Sequence, residues 1–195
     1  IEEGNIKKET IGPGTLQEMR GSDAFLLVLR NFDNGGPADL KGDFRNITAT
    51  PGVMERDPAW SPDGKSIACF SDESGEYMLH VIPQDGKGEV VKITLAESPS
   101  FYFSPVWSPD SNKIAYVDCH MTLWYLDLEA KKPVQVGRDR FYGAENNLVP
   151  SWSPDSKWLA YTKRGENYLG AIFLFELETG KNFQVTDGMS DARHP

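Results

Sequence analysis

Cysteine and histidine are scarce in this sequence. It contains two cysteines, Cys69 and Cys119, and three histidines among 195 residues. The cysteines do not form a close pair, and no histidine stands at metal-ligand spacing from either of them. We therefore expect ordinary free thiols, no metal site and no other cofactor.

Long apolar runs and an excess of positive charge are lacking as well. The longest apolar run, Ala24–Leu29, is far too short to span a bilayer, so no membrane insertion is expected. A formal net charge of −9 opposes binding to nucleic acid, which usually requires a basic surface. No targeting segment is visible after Ile1, but a mature secreted protein would look the same, so the compartment stays open.

What the sequence does contain is a repeat. A segment that begins Pro-x-Trp-Ser-Pro-Asp occurs three times, and its tryptophans are 47 and 45 residues apart. Pro195 could open a fourth copy. Repeats of this period are stacked supersecondary units. The three copies are Pro58–Ser71 with Trp60, Pro105–Asp118 with Trp107, and Pro150–Lys163 with Trp152.

The Ser-Pro-Asp-Gly part of the repeat predicts a tight turn. Proline presets the backbone of the second turn position, and the Asp carboxylate can accept hydrogen bonds from nearby backbone N–H groups. Glycine tolerates positive φ, but Ser111 and Ser156 replace Gly64 in the later copies. We therefore do not expect a strict left-handed requirement at this position. A strand on each side of the turn makes a hairpin.

Each unit has room for four short strands. The third strands, around Leu79, Leu123 and Ile172, are largely apolar on both faces, whereas a half-solvated sheet would alternate. Four strands, this period and two-sided burial predict an all-β β-propeller. We expect residues 1–195 to form one propeller segment of a six- or seven-bladed ring. Its parts are clear four-stranded antiparallel blades at 58–94, 105–137 and 150–188, and a partial or divergent blade at 1–57.

Two polar features fit this scaffold without a separate function. His80 falls on a predicted third strand, and we expect it to be packed within the blade. The acidic stretch Asp72–Glu76 lacks the ligand spacing and glycine placement of an EF-hand loop. It is predicted to be a solvated turn.

The Pro-x-Trp-Ser-Pro-Asp copies resemble the TolB-like, WD-like propeller repeats. Such repeats occur in TolB, in tricorn protease and its relatives, and in prolyl-oligopeptidase-type enzymes. The run Asn46–Gly64, followed by Ser71–Tyr77, is most similar to the first propeller of tricorn-type peptidases. The resemblance covers about residues 44–195. The resemblance implies a large modular serine peptidase. In such enzymes the propellers precede a PDZ-like module and a catalytic domain, and peptides are expected to reach or leave the active site through the propellers.

The catalytic part of such an enzyme is not recognisable in this sequence. There is no Gly-x-Ser-x-Gly elbow and no recognisable Ser/His or Ser/Lys constellation, so no catalytic or substrate-binding residue is assigned. The leading hypothesis is a non-catalytic propeller segment of a tricorn-like peptidase, acting as a peptide channel, gate or interaction scaffold. A TolB-like periplasmic interaction propeller is the alternative. A sugar-modifying enzyme is the third hypothesis and would need clustered histidines or acids at the tunnel mouth.

The expected partners follow from these hypotheses. They are peptides or a partner protein, together with further blades or subunits. An open arc of blades leaves an apolar face bare at each end, and a bare face of several hundred Å² usually marks an interaction site or a liability. We therefore expect this chain to be a piece of a larger propeller.

Overall fold

The computed structural model describes residues 46–139, Leu148, residues 150–193 and Pro195. The partial or divergent blade predicted for residues 1–57 therefore lies mostly outside the described residues. The described residues contain no helix of the length and hydrophobicity needed to cross a membrane.

The chain divides into two compact units, Ile1–Glu55 and Arg56–Pro195. The first is described from Asn46 onwards, where side chains organise a turn. Asn46 Oδ1 accepts hydrogen bonds from the backbone N–H groups of Thr48 (3.1 Å) and Ala49 (2.9 Å). The Glu55 carboxylate accepts a hydrogen bond from the Thr48 hydroxyl at 2.6 Å. These are the local side chain–backbone bonds that turns commonly use.

The described part of the chain is built from twelve β-strands in three four-stranded sheets. The sheets are antiparallel, and in each of them the strands follow one another in sequence order. We call them blade 1 (β1–β4), blade 2 (β5–β8) and blade 3 (β9–β12). The predicted all-β fold with three four-stranded antiparallel blades is confirmed, and the number of blades in a complete ring stays a prediction. The strands are β1 (Glu55–Trp60), β2 (Ser66–Ser71), β3 (Met78–Pro83), β4 (Val91–Ile93), β5 (Tyr102–Trp107), β6 (Lys113–Asp118), β7 (Thr122–Asp127), β8 (Lys132–Arg138), β9 (Ser151–Trp152), β10 (Trp158–Arg164), β11 (Gly170–Glu176) and β12 (Lys181–Gln184).

The first strands of blades 1 and 2 start earlier than the sequence predicts. β1 begins at Glu55 and β5 at Tyr102, three residues before the prolines that open the predicted units. Both are edge strands, where a proline costs no ladder hydrogen bond. The residues before the prolines, Asp57 and Ser104, have φ of 52° and 53°. The strands therefore continue through a residue with a left-handed backbone, which the sequence does not predict.

Apolar side chains fill both junctions between blades. The blade 1–2 junction includes Phe70 and Leu79 from blade 1, packed against Tyr102, Tyr116 and other side chains of blade 2. At the blade 2–3 junction, a second cluster joins the opposite face of blade 2 to blade 3. Blade 2 is therefore apolar on both faces, as the two-sided pattern of the third strands predicts. The second cluster contains Ala115, Val117, Met121, Leu123, Val136, Leu148, Leu159, Tyr161 and Phe175.

The face of blade 1 that points away from blade 2 contains Cys69 and His80. These residues are cross-strand partners on β2 and β3, and both are buried. The predicted packing of His80 within the blade is confirmed. Burial lowers the pKa of His80, which favours its neutral form. Cys119 is half-buried and is a free thiol, as predicted.

Candidate functional site

The repeated tryptophans tie consecutive blades together. Trp107 Nε1 donates a hydrogen bond to the backbone carbonyl of Ala59, and Trp152 Nε1 donates one to that of Val106, each at 3.0 Å. In both cases the acceptor immediately precedes the tryptophan of the blade before. The first strands of the blades therefore lie side by side. Trp107 is buried, whereas Trp60 and Trp152 are half-buried.

The Ser-Pro-Asp turns are satisfied by their own side chains. The Ser61 hydroxyl donates to Asp63 Oδ1 at 2.6 Å, and the turns of blades 2 and 3 make the same bond. The hydrogen bond from Ser61 lowers the pKa of Asp63. Burial works to raise the pKa of Asp110, but hydrogen bonds from Ser108, Lys113 and the backbone lower it to about 2. These carboxylates therefore shape the turns.

The fourth turn position is left-handed in all three blades. Its φ is 70° at Gly64 and 59° at both Ser111 and Ser156. The expectation that the serines relax this requirement is wrong. The physical reason is the closed turn that all three copies share, in which the N–H of this residue donates to the carbonyl of the first turn serine at 2.9 Å. The serines also make a second tie between blades, because their hydroxyls accept hydrogen bonds from the turn of the preceding blade. Ser111 Oγ accepts from the backbone N–H of Asp63 (3.1 Å), and Ser156 Oγ from that of Asp110 (3.0 Å).

This tie can be separated from the backbone strain by two substitutions. We expect Ser156→Ala to destabilise the fold by about 1–2 kcal/mol, because it loses the hydrogen bond and keeps a strained left-handed residue. Ser156→Gly loses the same bond but relieves the strain, so it should cost clearly less. Urea unfolding followed by circular dichroism checks the order. A glycine variant less stable than the alanine variant would contradict this account.

The first strands also carry a cation held by aromatic rings. The Arg56 guanidinium lies 5.1 Å from the ring centre of Phe103 and 5.7 Å from that of Tyr77. The Ser104 N–H donates a longer bond, 3.4 Å, to the Asp57 carboxylate. These contacts join β1 to β5.

A groove begins at the junction of blades 2 and 3 and continues over blade 3 alone, and we call it the seam groove. It consists of two cavities of about 460 and 400 Å³, which share Lys163 and Phe173. The smaller cavity is lined by Gln135, Val136, Gly137 and Arg138 of β8 and by Tyr161, Lys163, Phe173 and Asn182. The larger one extends past Glu166, Asn167, Gln184 and Asp187.

The floor of the seam groove is aromatic and rigid. Tyr161 and Phe173 are cross-strand partners whose rings stack with centres 5.7 Å apart. The Tyr161 hydroxyl donates to Asn182 Oδ1 (2.9 Å), and Asn182 Nδ2 donates to the Val136 carbonyl of blade 2 (2.8 Å). Burial raises the pKa of Tyr161 to about 12, so the hydroxyl stays protonated. Lys163 Nζ lies 5.7 Å from the centre of the Phe173 ring.

Comparison with the equivalent positions of blade 2 identifies the groove residues that differ between the two junctions. At the blade 1–2 junction, Asp118 occupies the place of Lys163 and Trp124 that of Phe173. Asp118 Oδ2 there accepts a hydrogen bond from Trp124 Nε1 at 2.9 Å. At the seam groove, the smaller Phe173 replaces this indole, and Lys163, which has no carboxylate partner among the described residues, replaces this carboxylate. This difference opens space at the seam groove.

Sequence reasoning missed the seam groove. The signal was present in the aligned repeats, where a lysine stands against an aspartate and a phenylalanine against a tryptophan. Deciding that both point into one cavity requires the strand register and the junction between blades.

One histidine and one cysteine are neighbours in the described residues. His120 lies in the β6–β7 turn, with its Nδ1 3.5 Å from Cys119 Sγ. His80 is buried in blade 1, and His194 lies outside the described residues. No group of three or more metal-ligating side chains comes together in this part of the chain.

No known protein-family model matches the chain. Curated relatives align with parts of it. The uncharacterized peptidase YuxL of Bacillus subtilis is 28% identical over 146 residues, covering 54% of this chain and 21% of the relative. The Tol-Pal system protein TolB of Methylobacillus flagellatus is 38% identical over 68 residues, covering 35% and 13%. The chain thus spans about a fifth or less of the length of these relatives.

Solved structures share the blade architecture at low sequence identity. The tricorn protease matches with a TM-score of 0.56 and 17% identity over 73% of this chain and 14% of its own. An oligogalacturonate lyase in complex with manganese gives 0.54 and 18%, over 68% and 38%. TolB from Acinetobacter baumannii gives 0.50 and 20%, over 74% and 35%. The chain therefore has the fold of the TolB-like β-propellers, and the predicted fold is confirmed.

Proposed function

We propose that this chain is a non-catalytic propeller segment of a tricorn-like peptidase and takes part in peptide handling as a channel, gate or scaffold. The observation that carries the proposal is the seam groove, whose lining offers a cation, amides and aromatic rings. These groups bind and orient a ligand, and none of them has the nucleophile–base geometry of acyl transfer. The alignment with a peptidase and the fold shared with the tricorn protease support the same proposal.

A TolB-like interaction propeller is the second candidate. It is favoured by the alignment with TolB and by apolar side chains at the outer edge of blade 3. Phe183 and Val185 are 45% and 57% exposed there, as a protein-binding surface would require. A gene that also encodes PDZ-like and peptidase regions favours the first candidate. A gene that encodes the propeller alone favours the second.

We expect the chain to bind unstructured peptides without cleaving them. Fluorescence polarisation measures the binding of labelled peptides to the full chain, and a quenched-fluorophore version of the same peptides reports cleavage. Cleavage that a substitution in this chain abolishes would refute the non-catalytic assignment. Cleavage that no substitution changes identifies a contaminating peptidase. Peptides that fail to bind at all would contradict the peptide-handling role.

A further inference from the structure

We propose that the seam groove binds a carboxylate attached to an apolar group, as found at the C-terminus of a peptide, with Lys163 as the anion contact. This inference deepens the proposed peptide-handling function and rests on it for the identity of the natural ligand. Among the described residues, none from the first strands β5 and β9 lines the groove.

The first argument is the state of the Lys163 ammonium group. Within the described residues it has no carboxylate partner, and its recorded contact is the face of Phe173. A neighbouring cation, Arg164, is different, because its Nε is paired with the buried Asp139 carboxylate at 3.1 Å. Lys163 is therefore a cation of the groove that is available to an incoming anion, next to Arg138, whose Nε donates to the His120 carbonyl at 3.3 Å.

The second argument is the apolar floor beneath that cation. The stacked rings of Tyr161 and Phe173 are fixed by the bond to Asn182, so they present a formed surface. A pocket of about 400 Å³ falls within the usual size range for small ligands. An aromatic or aliphatic group can pack on the rings while its carboxylate reaches the ammonium. Preorganised sites of this kind lose little entropy on binding.

The third argument is the distribution of charge along the groove. Arg138 and Lys163 line the smaller cavity, which has no carboxylate among its described lining residues. The larger cavity is lined by Glu166 and Asp187 as well as by Lys163 and Arg164, so carboxylates enter only at that end of the groove. A ligand with a carboxylate at one end and N–H donors beyond it matches this order. A peptide has those groups in the required sequence, because its amide N–H groups precede the terminal carboxylate. This complementarity favours a peptide terminus over a simple anion.

The comparison of 3-phenylpropanoate with 3-phenylpropanamide tests the inference on the full chain. These probes differ in the negative charge, and nuclear magnetic resonance titration reports their affinities and contact sites. We expect the acid to shift the amide signals of Gly137, Lys163 and Phe173. Lys163→Gln should weaken acid binding about fivefold to tenfold and leave the weak binding of the amide unchanged. Lys163→Arg should restore most of the acid affinity.

Lys132→Gln is the matched control, since Lys132 is an exposed lysine on β8 that does not line the groove. It should bind the acid like the unsubstituted chain. Equal affinities for acid and amide would overturn the inference, as would equal losses in the two lysine variants.

Peptide binding then distinguishes a C-terminal carboxylate from a side-chain carboxylate. It also tests the carboxylate site separately from the peptide-handling function. A peptide ending in free phenylalanine should depend on Lys163, whereas its amidated form with an internal glutamate should not. The reverse order would overturn the assignment to a C-terminus. Peptides that bind independently of Lys163 would refute the carboxylate site in the groove and leave the proposed peptide-handling function intact. Binding of the acid without any peptide binding would refute the peptide-handling function instead.

Discussion

Trp107→Ala is expected to destabilise the propeller segment by about 3–5 kcal/mol, the usual cost of removing a large buried aromatic side chain. Trp107 is 7% exposed and packs in the junction between blades 1 and 2. Its indole N–H also makes the 3.0 Å bond to the Ala59 carbonyl. The substitution therefore opens a cavity and removes a tie between blades in one step.

Trp107→Phe isolates the hydrogen bond from the packing. It keeps most of the aromatic volume but leaves the Ala59 carbonyl without its donor, so we expect a cost of about 1–2 kcal/mol. Trp158→Phe is the matched control, because Trp158 is half-buried on β10 and contacts Phe183 at its ring. It should cost clearly less than Trp107→Phe in urea unfolding. Equal losses in the two phenylalanine variants would mean that the indole bond contributes nothing measurable.

Gly137→Ala is expected to destabilise the blade 2–3 junction by about 1–3 kcal/mol through overpacking. A Cβ atom at Gly137 would stand 2.5 Å from Tyr161 Oη and 2.8 Å from two carbons of its ring. Tyr161 cannot move aside easily, since it is 2% exposed, stacked on Phe173 and bonded to Asn182. Chemical denaturation gives the cost.

A double-mutant cycle assigns that cost to the clash. Tyr161→Leu removes the ring and its hydroxyl, so Gly137→Ala in that background should cost less than about 0.5 kcal/mol. The difference between the two costs is the coupling between the residues. If the alanine is equally harmful in both backgrounds, the backbone of Gly137 and not the approach of Tyr161 is responsible.

The blades could be predicted from the sequence because their signals are local. The turn residues, the tryptophan spacing and the apolar third strands each depend on neighbours close in the chain. The third strands predicted around Leu79, Leu123 and Ile172 are found there, as β3, β7 and β11. The early start of β1 could not be predicted, because it depends on a positive φ before a proline.

What the sequence could not predict are the contacts that cross from one blade to the next. The serines that replace Gly64 suggested that the fourth turn position does not need a positive φ. In the structure, Ser111 and Ser156 have a left-handed backbone, and their hydroxyls accept hydrogen bonds from the backbone N–H groups of Asp63 and Asp110. The seam groove depends in the same way on residues far apart in the chain. Val136 and Asn182, for example, meet only because two blades pack together.

The two ties between blades run in opposite directions, and this has a consequence for how such chains grow and shrink. Blade 2 donates its Trp107 indole N–H to blade 1 and its Asp110 backbone N–H to blade 3. It accepts both kinds of bond in return, so this copy of the motif carries both halves of a junction. A duplicated unit inserted between two others would find matching partners on either side at once. If blade 2 were excised, Trp152 would face the Ala59 carbonyl and Ser156 the Asp63 amide. Whole-unit gain or loss is thus chemically compatible with the junctions, whereas an insertion that breaks a unit is not.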